Sequence, residues 1–189
     1  MDERFKRHIA ESIRVKQAFL DDEAAMQSLS TVIDVLVDAY RTGKKSLWAG
    51  NGGSAADAQH MAAELVNKFQ LERRGLPAIA LTVDTSILTS IGNDYGYDRV
   101  FARQVEALGQ EGDVFVGIST SGNSRNLVEV LEVCRAKGVV TVAIVGGKPC
   151  AMDAYDYVVH VPSVDTPRIQ ECQTLIGHIL CYYIEKFLS

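Results

Sequence analysis

Two short segments of this chain carry the groups that hold an oxygen-rich anion. The first is Gly50-Asn51-Gly52-Gly53-Ser54-Ala55-Ala56, the second Ser119-Thr120-Ser121-Gly122-Asn123-Ser124. Glycines let backbone N–H groups approach a ligand closely, and hydroxyls add donors that can surround three phosphate oxygens. Each segment alone also reads as a tight turn ending in a helix-capping serine. The four hydroxyls of Ser119, Thr120, Ser121 and Ser124 exceed what a cap needs. Neither segment fits the GxxxxGKS/T phosphate loop or the GxGxxG dinucleotide turn, so a monophosphate is the better match.

A second set of residues has the chemistry to move protons or to hold a metal. His60 and Glu64 stand four apart and share one helix face, a spacing that serves metal ligation or a simple ion-pair contact. Gln170 and His178 are eight apart, roughly 80° around a helix, and so can border one groove. His178 lies among Ile176, Gly177, Ile179 and Leu180, a setting in which a core histidine is the ordinary explanation. His8 and His160 have no partner pattern and read as structural.

The elements that must position these groups follow from the periodicity of apolar residues. Phe5, Ile9, Ile13, Lys16 and Leu20 make one helical stripe with a single polar interruption. Leu29, Val32, Ile33, Leu36, Val37 and Tyr40 make a cleaner one, stopped by Thr42-Gly43. Thereafter strand and helix alternate. Strands are expected at Ser46–Ala49, Ala78–Thr82, Asp113–Ser119, Val139–Val145 and Tyr157–Val161. Helices are expected from the first loop to about Phe69, around Ile87–Ile91 and Val100–Leu108, and from the second loop to about Lys137. A last helix starts at Thr166, read as its cap, with Pro167 in the first position. Near-continuous apolar strands such as Val139–Val145 predict a parallel sheet covered on both faces. Both loops then leave the carboxyl ends of strands, where open α/β sheets bind ligands.

The 189 residues, 47% hydrophobic and 23% charged, fit one globular domain and exclude disordered and fibrous classes. A net charge of −5 argues against a broad nucleic-acid surface. The start of the chain shows no apolar signal core and no segment is long and apolar enough to span a membrane. Cys134, Cys150, Cys172 and Cys181 lack CxxC spacing and read as reduced thiols of a cytoplasmic protein.

Taken in order, the motifs resemble the phosphoheptose isomerases within the sugar isomerase (SIS) family. The resemblance spans nearly the whole chain: Gly50 to His60, Glu64, Leu76 to Leu81, Ser90 to Tyr97, Ile118 to Ser124, Arg168-Ile169-Gln170-Glu171 and His178. It implies a single α/β domain over 1–189 with a flavodoxin-like, five-stranded parallel sheet flanked by helices. Residues 1–43 would be a helical pair used in oligomerisation and 44–189 the α/β core. It further implies a homotetramer with sites between subunits, and conversion of sedoheptulose 7-phosphate to glycero-manno-heptose 7-phosphate. That reaction is the entry to the heptose units of bacterial surface glycans. By the same resemblance Asn51, Gly52, Gly53, Asn93, Asp94, Ser119, Thr120, Ser121, Ser124 and Gln170 would contact substrate. His60, Glu64, Gln170 and His178 would hold zinc.

Turning a 2-ketose into an aldose requires a proton to leave C1 and return at C2 through an enediol, and Glu64 and His178 are the expected acid–base pair. Two other readings belong to the same family. One branch has lost the chemistry and assists a DNA replication initiator, with Glu64 and His178 replaced; both are present here. A sugar-phosphate-sensing regulatory domain would need a fused partner domain, for which 189 residues leave no room.

Overall fold

The computed structural model describes residues 3–189; Met1 and Asp2, which the expected N-terminal helix includes, lie outside them. Two helices come first, α1 (Glu3–Leu20) and α2 (Glu23–Arg41). Then follow β1 (Ser46–Gly50), α3 (Gly53–Val66), β2 (Ala78–Ala80), α4 (Thr85–Tyr95), α5 (Ala102–Leu108) and β3 (Val114–Ser119). The chain continues with α6 (Arg125–Val128), α7 (Val130–Lys137), β4 (Val140–Gly146), β5 (Tyr157–Val161) and α8 (Thr166–Leu188). Side-chain caps start two of the helices. Asp22 accepts from the Ala25 N–H (3.0 Å) before α2, and Asp84 from the Ile87 N–H (2.9 Å) before α4. Each such cap contributes about 1 kcal/mol.

The five strands are all parallel, in the order β2-β1-β3-β4-β5. Strand order therefore reverses between β1 and β3, the crevice at which doubly wound sheets bind ligands. Strand alternation divides the core between two faces. Trp48, Val114, Val116 and Ile118 pack against α2, α3 and α8, whereas Leu47, Ala49 and Phe115 pack against the α5 and α7 side. Trp48 is fully buried, and its indole N–H donates to Ser46 Oγ (2.7 Å), which also bonds Tyr40 OH (2.5 Å). That arrangement satisfies three polar groups at the foot of β1.

The α1 stripe of Phe5, Ile9, Ile13 and Leu20 lies on the expected helix and is exposed at 62–66%, while α1 packs on this chain through Val15 and Phe19. Arg168 and Lys16 also tie α1 to α8, through the His8 carbonyl (3.1 Å) and Glu171 (3.9 Å). Two expectations need correction. α3 stops at Val66 rather than Phe69, because the backbone beyond it is drawn off by contacts to α8. The cap of α8 is Asp165, with Thr166 already helical. The four cysteines are all free. Among the described residues no helix is long and apolar enough to cross a membrane.

Candidate active site

The glycine-rich and hydroxyl-rich segments leave adjacent strands on either side of the switch point. Asn51 follows β1 and Asn126 lies in α6, and each side-chain amide donates to the other's oxygen at 2.9 Å. Tyr97 OH adds a third bond to Asn51 Oδ1 (3.1 Å). Asn51, expected to touch substrate, is thus also the tie between the two loops. In the second loop Ser119 Oγ accepts from the Gly122 N–H (3.1 Å), and Ser121 Oγ accepts from the Asn123 N–H (3.2 Å). Both serines therefore brace the turn rather than cap the helix, whose cap position is Ser124 with no side-chain capping bond, and the Ser121 hydroxyl hydrogen stays available to a ligand. Ser119 and Ser124 oxygens lie 3.4 Å apart. Thr120 and Ser121 line a polar cavity of about 210 Å³ with Lys148, Ser163 and Thr166. Gly122 has φ +63°, and a Cβ there would stand 2.1 Å from Cys150 Sγ, so the turn requires glycine.

The second half of the site is a groove between α3 and α8. Their contacts advance in step: Gly53 against Gln170, Asp57 with Thr174 (2.8 Å), His60 with His178, and Met61 with Cys181 (3.8 Å). The helices therefore run in the same direction, and positions four apart on each supply the walls. Gly53 matters for its missing side chain, since a Cβ would lie 2.6 Å from Gln170 Nε2. Further down, His60 Nε2 stands 3.0 Å from Glu64 Oε1, and the His60 and His178 rings meet edge to face at 5.0 Å. His60, Glu64 and His178 each bring one donor atom within 4.8 Å of the others. Nitrogen and oxygen donors sit about 2.0–2.2 Å from a zinc-sized ion, so three donors this close suit one divalent cation. The groove is open, with the His60 side chain 43% and Glu64 24% exposed.

Gln170 and Gly53 thus stand at the loop end of the groove, and His60, Glu64 and His178 stand together further along it. Gly52 ends the first loop, exposed at the start of α3. Asn93 and Asp94 are bonded to each other (2.8 Å) and exposed near the end of α4; among the described residues no side-chain hydrogen bond joins them to either loop or to the groove. Three groups escaped the sequence reading. Asn126 and Thr174 have no motif of their own. Asp57 is a half-buried carboxylate near His60 and His178. Burial pushes its carboxyl up, against the Thr174 hydroxyl and the nearby His60 and His178, which pull it down. Its signal was available: Asp57 precedes His60 by three residues on the same helical face.

The SIS domain family model matches residues 7–146. The phosphoheptose isomerase of Aneurinibacillus thermoaerophilus is 51% identical over 187 residues, covering 98% of this chain and 94% of that protein. Phosphoheptose isomerase 2 of Campylobacter jejuni is 52% identical, covering 97% and 92%. The chain belongs to the SIS-domain phosphoheptose isomerases. Solved phosphoheptose isomerases share its whole architecture. That of Francisella tularensis superposes with a TM-score of 0.92 at 36% identity, over 97% of both chains. That of Neisseria gonorrhoeae gives 0.91 at 42% identity, over 97% of this chain and 98% of its own.

Proposed function

We infer that this chain interconverts sedoheptulose 7-phosphate and glycero-manno-heptose 7-phosphate, an aldose–ketose isomerisation that begins heptose precursor biosynthesis. The observation that carries this reading is near-full-length identity of about half to proteins named phosphoheptose isomerase. The geometry supports it. His60 follows Gly53 by seven residues, roughly 10 Å along the helix axis. An extended seven-carbon sugar with its phosphate among the Ser119, Thr120, Ser121 and Ser124 hydroxyls could lie along such a groove. Asn51, Gly52, Gly53, Asn93, Asp94 and Gln170 are the further substrate contacts proposed.

In this reading the Glu64 carboxylate takes the proton from C1 while His178 gives one to the C2 oxygen, leaving an enediol. Glu64 then returns its proton to C2 and His178 removes the one on the C1 oxygen, leaving the aldehyde. Both groups end as they began, so the cycle balances. His60, Glu64 and His178, with Gln170 as the fourth ligand, would hold zinc, whose charge would stabilise negative charge on the two oxygens. A zinc-bound carboxylate is a poor base, so either Glu64 moves between the two roles or the metal mainly positions the site.

Partner copies are the natural cover for the open groove and for the exposed stripe of α1, and we assign residues 1–43 to assembly of a homotetramer. Residues 44–189 are then the catalytic core, and a phosphorylated substrate with four free thiols fits a cytoplasmic enzyme. The functional test is incubation with sedoheptulose 7-phosphate, following the aldose phosphate; no aldose phosphate would overturn the assignment. A monomeric mass in light scattering would overturn the tetramer.

A further inference from the structure

Between α3 and β2 the chain crosses the end of the groove as an irregular strap, residues 67–77. Its backbone N–H groups at Phe69, Gln70 and Leu71 donate to the Glu185 carboxylate at 2.6, 2.8 and 3.0 Å. Glu185 lies on α8, two turns beyond His178, and is fully buried. Arg73, its side chain only 3% exposed, pairs with it at 3.1 Å. The same guanidinium donates to the carbonyls of Glu64 (2.8 Å), Leu65 (2.7 Å), Asn67 (3.2 Å) and Arg74 (3.0 Å). The Glu64 and Leu65 carbonyls belong to those a helix leaves unpaired at its C-terminus. Arg73 therefore caps the turn of α3 that carries Glu64.

A buried ion pair is a costly way to close a loop, since apolar residues of similar volume often serve stability as well or better. What this pair achieves is placement. The strap it holds sets the half-buried Phe69 ring on His178, with centroids 5.2 Å apart and planes inclined by 27°. Among the described residues the His178 imidazole has no hydrogen-bond partner. A ring that acts in proton transfer or ligation ordinarily has its plane fixed by a hydrogen bond from its second nitrogen. Here the two contacts that define the plane are the face of Phe69 and the edge of His60.

We propose that the 67–77 strap, anchored by Arg73 and Glu185, is a positioning device for the acid–base pair. Phe69 fixes the plane of the His178 imidazole, and Arg73 fixes the helical turn bearing Glu64. The proposal rests on the reading of Glu64 and His178 as that pair. Phe69 is a positioning residue because it acts through His178 rather than on the substrate.

The test compares Phe69→Leu, which keeps an apolar side chain but loses the flat face, with Phe69→Tyr, which keeps the face. In the full-length protein, Phe69→Leu should lower kcat for sedoheptulose 7-phosphate about tenfold or more while KM stays within about twofold, as expected for misoriented groups. Phe69→Tyr should restore kcat to within about twofold of wild type, because the orienting plane is retained. In protein labelled at histidine, the cross-relaxation between the His178 and His60 ring-proton resonances, which reports their relative orientation, should weaken in Phe69→Leu and persist in Phe69→Tyr. Unchanged kcat in Phe69→Leu, or equal losses in both variants, would overturn the proposal. A wild-type protein that does not turn over this substrate would instead remove the functional reading, and the resonance comparison would still decide whether Phe69 orients His178.

Discussion

The two ends of the α3–α8 groove are built from different materials. At the loop end the donors are backbone N–H groups and short hydroxyls in Gly50–Ser54 and Ser119–Ser124, set by local turns and tied together by the Asn51–Asn126 amide pair. At the other end the working groups are long side chains on helix faces. His60 and Glu64 meet His178 only because two helices lie side by side. A phosphate is the same on every sugar, and a rigid cradle of short groups suits it. Proton transfer needs groups whose charge can change and whose orientation is held by surrounding structure. The loop end can therefore lose one donor and still bind, whereas the far end is expected to fail as a unit.

The sharpest way to test that contrast is Glu64→Gln. It keeps the shape of the side chain and an oxygen but cannot accept a proton, so turnover should fall by about 10²-fold or more. Binding of the sugar phosphate, read by calorimetry, should stay near wild type. Joint loss of bound metal and substrate would make Glu64 chiefly a ligand and leave His178 as the proton-transfer group. Next comes Gly53→Ala, which places a methyl where Gln170 Nε2 stands. Displacing Gln170 should cost roughly tenfold or more in kcat/KM, in line with small misplacements at catalytic centres. A silent Gly53→Ala would mean that the two ends are not coupled through Gln170.

Replacing Ser119 and Ser121 together by Ala tests the cradle. Each hydrogen bond to a charged group is worth about 1.5–3 kcal/mol, so affinity should weaken by roughly tenfold or more. Stability should drop by only about 1 kcal/mol for each turn hydrogen bond lost. Unchanged affinity would place the phosphate elsewhere. The smallest effect concerns the strap. Burial pushes the Glu185 carboxyl up, yet three backbone donors and Arg73 outweigh it and hold the group below its ordinary 4.5. Its contribution to stability is therefore complete above pH 4.5 and is lost as pH falls through the lower folded value. Wild-type melting temperature should decline across that acid window more steeply than that of Glu185→Gln. Equal slopes would show that Glu185 titrates alike folded and unfolded.

How far the sequence could be read follows the same division. The hydroxyl loop is six adjacent residues and shows itself directly. The Val139–Val145 run announces a strand buried on both faces, and β4 occupies nearly that span. The i, i+4 spacing brings out His60 and Glu64, because both lie on one helix. What stayed hidden depends on which faces meet. Nothing near Phe69 or Arg73 in the chain points to Glu185, more than 110 positions away, and without that acceptor the pattern reads as a helix running past Val66. Asp57 was legible by its place on the face of His60, but its partner Thr174, on α8, was not. The α1 stripe was legible as a helix from its period alone, and the surface it would cover is not supplied by this chain's own core.

The docking of α8 also sets an order in time. This one helix supplies Gln170, Thr174, His178 and Glu185, and it is the last element along the chain. Its contacts with the α3 region span more than a hundred residues, so they carry a large loop-closure cost and belong to the slow class of folding contacts. Until α8 seats, the N–H groups of Phe69, Gln70 and Leu71 lack their carboxylate acceptor and the groove has only one wall. During refolding, the sheet's spectroscopic signal should return before binding of a sugar phosphate does, and the interval between them would time the arrival of a single helix.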